Sequence, residues 1–204
     1  MEAPRIVSSE FIAGATDESQ LPAPALAEVA FAGRSNVGKS SLLNALMERK
    51  GLARSSNTPG CTRQINVFKI RFTDSLDVHL VDLPGYGFAQ RSKAEKGVWG
   101  AMLEGYLRRR VSLRAVVVLV DIRRGIEPDD LQLVDFLNHP REINENKPLS
   151  TIIVATKLDK LALSARKPAM TKLRKESGIA VLGCSAETGD GIAQLWLQLR
   201  AALI

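Results

Sequence analysis

The chain has 204 residues, of which 45% are hydrophobic and 25% are charged, and its formal net charge is +6. This length suits one domain with a full core, and the composition is ordinary for a globular protein. A membrane span, a secretory signal and a disulfide scaffold are excluded, because no apolar run is long enough and the only cysteines are Cys61 and Cys184. We therefore expect a cytoplasmic protein with reduced thiols.

The positive charge is unevenly distributed along the chain. Residues 91–124 contain nine Lys or Arg against three acids, which equals the whole net charge of +6. A local basic surface indicates a polyanionic partner, and Arg108, Arg109 and Arg110 belong to it. The alternative is a solvated face, since cations at a helix C-terminus are favoured by the helix dipole.

Residues 1–27 show little periodicity, and we expect an N-terminal extension that is packed on the domain or leads into it. The domain itself is predicted over residues 28–204. It opens with a short apolar run at 29–32, the length of a buried strand. Leu42, Leu43 and Leu46 then follow at helical spacing, which predicts a helix from about Gly38.

A phosphate-binding loop is predicted between this strand and this helix. Gly33, four residues and then Gly38-Lys39-Ser40 fit the loop's spacing, with a strand before and a helix after, as the motif requires. Backbone N–H groups of such a loop surround phosphate oxygens, Lys39 adds a charge for the β- and γ-phosphates, and Ser40 can bind Mg²⁺. The loop alone leaves ATPases, small-molecule kinases and GTPases open.

The rest of the chain alternates strands and helices, apart from one hairpin. Polar residues 51–63 predict a long loop, and a short turn joins strands 64–72 and 78–81 as antiparallel neighbours. The later elements are predicted as helix 95–110, strand 115–120, a helix from Pro128, strand 151–155, helix 164–176, strand 179–182 and a final helix after Asp190. This pattern predicts an α/β fold in three αβα layers, with a mostly parallel six-stranded sheet containing one antiparallel strand.

Asp82-Leu83-Pro84-Gly85 follows the strand 78–81 directly. An aspartate at the carboxyl end of a strand beside the phosphate loop can hold the hydration shell of Mg²⁺, and the Gly85 amide can contact a γ-phosphate. The alternative is an ordinary turn that ends a strand. The spacing after Lys39 favours the functional interpretation.

Thr156-Lys157-Leu158-Asp159 distinguishes the nucleotide base. The two oxygens of Asp159 match the adjacent donors of guanine, whereas adenine would leave them unpaired at a cost of about 1–3 kcal/mol per group. The aliphatic stem of Lys157 can cover the base plane. Cys184-Ser185-Ala186 follows the last strand, where the Ala186 N–H could donate to the guanine carbonyl.

These motifs together resemble those of translation-factor-type P-loop GTPases, and the chain from about Glu28 is similar to the EngB (YihA/YsxC) family of bacterial ribosome-assembly GTPases, in the TrmE-Era-EngA-YihA-Septin group. The resemblance rests on the loop Gly33–Ser40, on the stretch Asn57-Thr58-Pro59-Gly60-Cys61-Thr62-Arg63-Gln64-Ile65-Asn66, and on Asp82-Leu83-Pro84-Gly85-Tyr86-Gly87. Cys61 departs from the family pattern, in which a basic residue is expected.

The resemblance implies a set of site residues. Residues 51–63 would be the first switch, with Thr62 (or, as second choice, Thr58) binding Mg²⁺ once GTP is present. The predicted catalytic residues are Lys39, Thr62 and Gly85, and the predicted metal ligands are Ser40, Thr62 and Asp82. The predicted nucleotide-binding residues are Gly33, Arg34, Ser35, Asn36, Val37, Gly38, Lys39, Ser40, Ser41, Asp82, Gly85, Thr156, Lys157, Asp159, Cys184, Ser185 and Ala186.

Two positions bear on the rate of hydrolysis. Tyr86 stands where Ras-type enzymes have a glutamine that orients the attacking water, so slow intrinsic hydrolysis is expected. Asn36 could bind K⁺ beside the phosphates, as in related GTPases with Asn at this position; the alternative is that it only braces the loop.

The function implied is a monomeric GTP-dependent switch in assembly of the large ribosomal subunit, acting on ribosomal RNA and ribosomal proteins and needed for normal cell division. One alternative is a signalling switch that acts on protein partners. A P-loop kinase is the other, but it has no use for Thr156-Lys157-Leu158-Asp159.

Overall fold

The computed structural model describes residues 5–53, 64–86, 93–139 and 149–203, with residues 93–99 and 101 described by their backbone alone. The strands are β1 (Ile6–Ala15), β2 (Glu28–Gly33), β3 (Ile65–Phe72), β4 (Asp77–Asp82), β5 (Leu113–Asp121), β6 (Ser150–Thr156) and β7 (Val181–Gly183). The α-helices are α1 (Lys39–Leu46), α2 (Lys93–Arg109), α3 (Pro128–Asn138), α4 (Leu163–Ser177) and α5 (Ile192–Leu203). Short 3-10 turns lie at Glu18–Gln20 and Leu158–Lys160.

The seven strands form one sheet in the order β1-β3-β4-β2-β5-β6-β7. β3 is antiparallel to β1 and to β4, and the other described neighbours are parallel. The predicted single antiparallel strand is therefore confirmed, but the predicted count of six strands is wrong. The extra strand is β1, which adds to the edge of the sheet.

The reason that β1 was missed lies in its burial. As an edge strand, it buries only Ser9 and Ala15 of its ten residues, so its sequence lacks the apolar alternation of a half-buried strand. Phe11 is half exposed, although its ring meets the Phe68 ring edge-on with centroids 5.8 Å apart.

Helices cover both faces of the sheet, which confirms the three-layer αβα sandwich. β2 is buried along its whole length and β5 almost so, as continuous apolar strands at the centre of a parallel sheet must be. On one face, leucines of α1 and α5 pack against the sheet. On the other, apolar side chains of α2, α3 and α4 do so.

This topology brings the predicted motifs together at the carboxyl ends of the parallel strands. The parallel strands β2, β4, β5, β6 and β7 all end there, and β2 lies between β4 and β5, where the order of the strands reverses. Ligands of open α/β sheets bind at such a switch point.

Candidate nucleotide-binding site

The phosphate loop runs from the end of β2 to the start of α1. At Gly33, an added Cβ would lie only 2.8 Å from Val37 Cγ1 and 3.0 Å from Leu119 Cβ, so the tight start of the loop requires glycine. Asn36 and Gly38 both have positive φ, 62° and 103°, which curls the chain toward the helix. Gly38 is the N-cap of α1 and has no side chain to satisfy the helix N-terminus, where an anion is favoured.

Lys39, the first residue of α1, forms an ion pair with Asp82, the last residue of β4. Both side chains are largely buried. The ammonium predicted to bind phosphate and the carboxylate predicted to face Mg²⁺ are therefore in direct contact. A phosphate group and a metal ion would each compete for one member of this pair.

The segment after β4 lies against the phosphate loop. Tyr86 N–H donates to the Gly33 carbonyl at 3.3 Å, and Arg34 and Tyr86 form a parallel bridge. An added Cβ at Gly85 would lie 3.1 Å from Ser35 Oγ, so a side chain larger than glycine would crowd the loop. Gly85 is thus held next to the loop in which the phosphates are expected.

The Tyr86 side chain is directed to α3. Its hydroxyl donates to Asp130 Oδ1 at 2.7 Å, and Asp130 Oδ2 accepts from Glu127 N–H at 2.9 Å in the capping box of α3. Burial raises the pKa of Asp130 above its ordinary value, and burial together with the Asp130 carboxylate raises the pKa of Tyr86. The tyrosine therefore ties the segment after β4 to the N-terminus of α3.

Arg34 also contacts α3. Its Nη1 lies 3.0 Å from Glu127 Oε2 and 2.9 Å from Asp129 Oδ2. Predicted as a nucleotide-binding residue, Arg34 thus uses its side chain to fasten the phosphate loop to the helix.

The predicted guanine-reading segment is joined to the phosphate loop by two side chains. Thr156 Oγ1 donates to the Val37 carbonyl at 2.6 Å, and Lys157 Nζ donates to the Asn36 carbonyl at 2.6 Å. Lys157 has a φ of 59°, in the left-handed region. An added Cβ at Gly38 would lie 3.5 Å from Lys157 Cε, so the lysine stem passes over the loop.

Asp159 and the last loop are hydrogen-bonded to each other. Ser185 Oγ donates to Asp159 Oδ1 at 2.7 Å, and Lys160 Nζ lies 3.1 Å from Asp159 Oδ2. The hydrogen bond from Ser185, together with Lys160, lowers the pKa of Asp159, so the carboxylate is ionised at neutral pH. An ionised carboxylate accepts hydrogen bonds only, as recognition of two guanine donors requires.

Cys184 belongs to the site through its backbone. Its N–H donates to the Ala155 carbonyl at 2.8 Å, and its carbonyl accepts from Leu158 N–H at 3.1 Å, so it fixes the last loop against the end of β6. The thiol is fully buried, and burial raises its pKa to about 12. Ala186 follows in the same loop and is partly buried.

Part of the predicted site stays a prediction. Thr62, Thr58, Cys61 and Gly87 lie outside the described residues, and so does most of the predicted first switch. Ser41 is exposed in the first turn of α1.

The predicted metal ligands fit the chemistry of Mg²⁺. Ser40 and Asp82 both offer oxygen ligands. Ser40 lies in the first turn of α1, next to Lys39, and Asp82 ends β4, where it pairs with that lysine. Within the described ranges there is no cluster of three or more His, Cys, Asp or Glu that could hold an ion alone. Mg²⁺ is ordinarily held by one or two protein ligands together with phosphates and water.

The three consecutive arginines at the end of α2 are engaged within the chain. Arg108 Nε lies 3.1 Å from Glu104, Arg109 Nη2 lies 2.9 Å from Glu18, and Arg110 Nη2 lies 2.6 Å from the buried Glu28. Arg110 is mostly buried, so the prediction that it belongs to an open basic surface is wrong. Arg91 lies outside the described residues, and only the backbones of Lys93 and Lys96 are described.

Asp121 and Asp130 were missed by the sequence analysis. Asp121 ends β5 and its side chain contacts Lys157, whereas Asp130 accepts from Tyr86. Asp121 could have been found by the pattern that identified Asp82, because both are acids at the end of an apolar strand. Asp130 has no such signal, because an acid in the first turn of a helix is common.

In the described part of the chain, none of the helices has the length and apolar character needed to cross a bilayer.

Comparison with known proteins gives consistent matches. The model of a family described as 50S ribosome-binding GTPase matches residues 28–157. A probable GTP-binding protein EngB from Exiguobacterium sibiricum is 42% identical over 196 residues, which cover 94% of this chain and 96% of the relative. One from Myxococcus xanthus is 40% identical over 199 residues, which cover 94% of this chain and 93% of the relative.

Solved structures share the fold. The crystal structure of a probable GTP-binding protein engB superposes with a TM-score of 0.63 at 23% identity, covering 87% of this chain and 98% of the other. Era in complex with MgGDPNP and nucleotides 1506–1542 of 16S ribosomal RNA superposes with a TM-score of 0.70 at 21% identity, covering 88% of this chain and 57% of the other.

Proposed function

The chain belongs to the EngB family of GTP-binding proteins and is a GTPase, and we propose that it acts as a GTP-dependent switch in assembly of the large ribosomal subunit. The observation that carries this proposal is that the predicted motifs contact one another. Lys157 Nζ donates to the Asn36 carbonyl of the phosphate loop, and Ser185 Oγ donates to Asp159, the predicted guanine-reading residue. A protein that distinguishes both the base and the phosphates is equipped to respond to the state of the nucleotide.

In this proposal, the phosphates lie at the N-terminus of α1. The loop Gly33–Ser40 surrounds them, Lys39 leaves Asp82 to neutralise the β- and γ-phosphates, and the Gly85 N–H contacts the γ-phosphate. Ser40, Asp82 and Thr62 would hold Mg²⁺, which when bound neutralises charge on the phosphate oxygens. Hydrolysis then depends on positioning and charge neutralisation.

Intrinsic hydrolysis should be slow. The Tyr86 hydroxyl is committed to Asp130 of α3, and a phenol has no amide with which to orient water. Asn36 is exposed, and within the described residues its side-chain amide has no hydrogen-bond partner, which supports a free oxygen ligand for K⁺ over the bracing alternative. We include K⁺ beside the phosphates in the proposal.

Several observations favour the ribosome as the partner. The matching family is described as ribosome-binding, and one similar structure, that of Era, contains an rRNA fragment. Residues 91–124 supply the net positive charge. The proposed RNA contact does not include Arg110, because Glu28 holds it. Arg109 is exposed and Arg108 partly exposed, so each could exchange a carboxylate for a phosphate. A cytoplasmic location, a monomeric state and a need in cell division are part of the same proposal.

Sedimentation with purified large-subunit particles tests this function. We expect more protein to sediment with the particles in a non-hydrolysable GTP analogue than in GDP, because switch segments order around a γ-phosphate. Binding should fall steeply with salt, because phosphate contacts release counterions. Replacing Arg108 and Arg109 by alanine should weaken it, with the exposed pair Lys172 and Lys175 as the matched control.

Two outcomes would contradict the proposal. Equal sedimentation in both nucleotides would remove the switch. No sedimentation in either nucleotide would favour the alternative, a signalling switch that acts on protein partners.

A further inference from the structure

Asp121 is a buried carboxylate to which neither the sequence motifs nor the proposed function gives a role. It is the last residue of β5 and pairs in register with Thr156, the last residue of β6. Its side chain is 4% exposed. Asp121 is therefore buried at the carboxyl end of β5, directly beside Thr156, the residue that precedes Lys157.

Four donors converge on this carboxylate. Oδ1 accepts from the Arg123 N–H at 3.0 Å and from Arg123 Nε at 2.9 Å. Oδ2 accepts from Arg123 Nη2 at 2.6 Å and lies 3.0 Å from Lys157 Nζ. Although burial opposes ionisation, these donors lower the pKa of Asp121 well below its ordinary value. The Lys157 ammonium therefore faces a permanent negative charge.

The Lys157 ammonium is held by two contacts, one to a carboxylate and one to a backbone carbonyl. The same Nζ that meets Asp121 donates to the Asn36 carbonyl of the phosphate loop at 2.6 Å, and the left-handed backbone of Lys157 turns the chain toward Asp159. A lysine stem has four rotatable bonds, and a flexible side chain loses conformational freedom when it binds. Anchoring the ammonium before the nucleotide arrives removes that cost from the binding step.

We propose that Asp121 is a positioning residue for guanine-nucleotide binding, which holds Lys157 across the phosphate loop so that its stem is already placed to cover the base. This inference rests on the proposed nucleotide role of Lys157 and Asp159. Asp121 acts through Lys157 and has no contact of its own with the nucleotide.

A double-mutant cycle on the affinity for a fluorescent GDP tests this. Lys157→Met keeps an aliphatic stem but removes the ammonium, and Asp121→Asn removes the charge that holds it. We expect each single variant to raise the Kd for GDP about tenfold or more. The double variant should bind no more weakly than Lys157→Met alone, because Asp121 has nothing left to position.

Asp77→Asn is the matched control. Asp77 is the first residue of β4, at the end of the strand away from the nucleotide site. An arginine and a lysine hold it as well: Arg71 Nε lies 3.0 Å and Lys69 Nζ 2.9 Å from its oxygens. Its replacement should lower the melting temperature as that of Asp121 does, but leave the Kd for GDP unchanged. Should Asp121→Asn not fold, Asp121→Ser replaces it in the cycle.

The outcomes separate the inference from the proposed function. If Lys157→Met leaves the Kd unchanged, the nucleotide role of Lys157 fails, and the inference fails with it. If Lys157→Met weakens binding but Asp121→Asn has no effect, or the two effects multiply in the double variant, only the positioning role of Asp121 is overturned.

Discussion

Single charged residues of the site are held by opposite charges on neighbouring elements. Lys39 pairs with Asp82, and Lys157 with Asp121. Such pairs in partly buried positions keep long side chains in one place, at the cost of desolvating both members. In the proposed function, a nucleotide and its metal ion would separate Lys39 from Asp82, whereas Lys157 would keep Asp121 as its partner.

Asp159→Asn should change the base that is bound. An asparagine amide offers a donor where guanine presents its amine, so affinity for GDP should fall by about 1–3 kcal/mol, whereas xanthine has a second carbonyl that accepts this donor. Competition against a fluorescent GDP and a fluorescent XDP measures both changes. An unaltered preference for GDP over XDP would remove Asp159 from base recognition.

The proposed K⁺ ligand Asn36 predicts how the rate of GTP hydrolysis depends on monovalent cations. If its side chain binds K⁺, GTP hydrolysis should be faster in potassium than in sodium at equal ionic strength, and Asn36→Ala should abolish the difference. Initial rates of phosphate release measure this. Equal rates in the two salts for the unaltered protein would eliminate the cation, and stimulation that survives Asn36→Ala would assign K⁺ to other ligands.

At the scale of elements, helices α2 and α3 are tied to the sheet by buried carboxylates. Glu28 at the start of β2 accepts from Tyr106 Oη at 2.8 Å and from Arg110 Nη2 at 2.6 Å, which fixes the C-terminal end of α2. Asp130, in the first turn of α3, accepts from Tyr86. Glu28 thereby holds the C-terminal end of α2. Asp130 of α3 holds Tyr86, at the start of the segment that joins β4 to α2.

The Glu28 anchor predicts a dependence of stability on pH. Although burial opposes ionisation, the adjacent His79, whose Nδ1 lies 3.7 Å from Oε1, and hydrogen bonds from Arg110 and Tyr106 lower the pKa of Glu28 from 4.5 to about 2. A lowered pKa stabilises the fold above pH 4.5, and that stabilisation, about 3 kcal/mol, is lost as the pH falls from 4.5 toward 2. Urea unfolding at a series of pH values measures it.

Glu28→Gln supplies the comparison for this effect. At pH 7 the variant should lose about 3–5 kcal/mol in free energy of unfolding, because Arg110 is left without its anion, and its stability should vary less between pH 4.5 and 2. Glu104→Gln, which removes only an exposed partner of Arg108, should cost less than about 1 kcal/mol. An unchanged pH dependence in Glu28→Gln would contradict the role of Glu28.

Tyr86→Phe tests the link between α3 and the segment after β4. The variant leaves the buried Asp130 with one donor fewer, so the free energy of unfolding should fall by about 1–3 kcal/mol. Affinity for GDP should be unchanged, since the hydroxyl is bonded to α3. Urea unfolding and GDP titration measure the two quantities; unchanged stability with an altered hydrolysis rate would place the hydroxyl in the chemistry instead.

For the whole molecule, the sequence was most informative where a pattern is local and repeated. The alternation of apolar strands with amphipathic helices predicted the αβα layers, and the motif spacing predicted which loops meet at the sheet edge. β1 could not be found in this way, because an edge strand that buries only Ser9 and Ala15 has no apolar alternation. The contacts of Arg110 with Glu28 and of Asp121 with Lys157 could not be found either, since each joins residues that are distant in the sequence.

The most direct test of the proposed switch combines base recognition with partner binding. Asp159→Asn should sediment with large-subunit particles in a non-hydrolysable XTP analogue and lose this association in the matching GTP analogue, while the unaltered protein shows the reverse preference. That result would trace ribosome binding to the nucleotide read by Asp159. Association of the variant that is identical in both analogues, or that still follows the GTP analogue, would contradict the account.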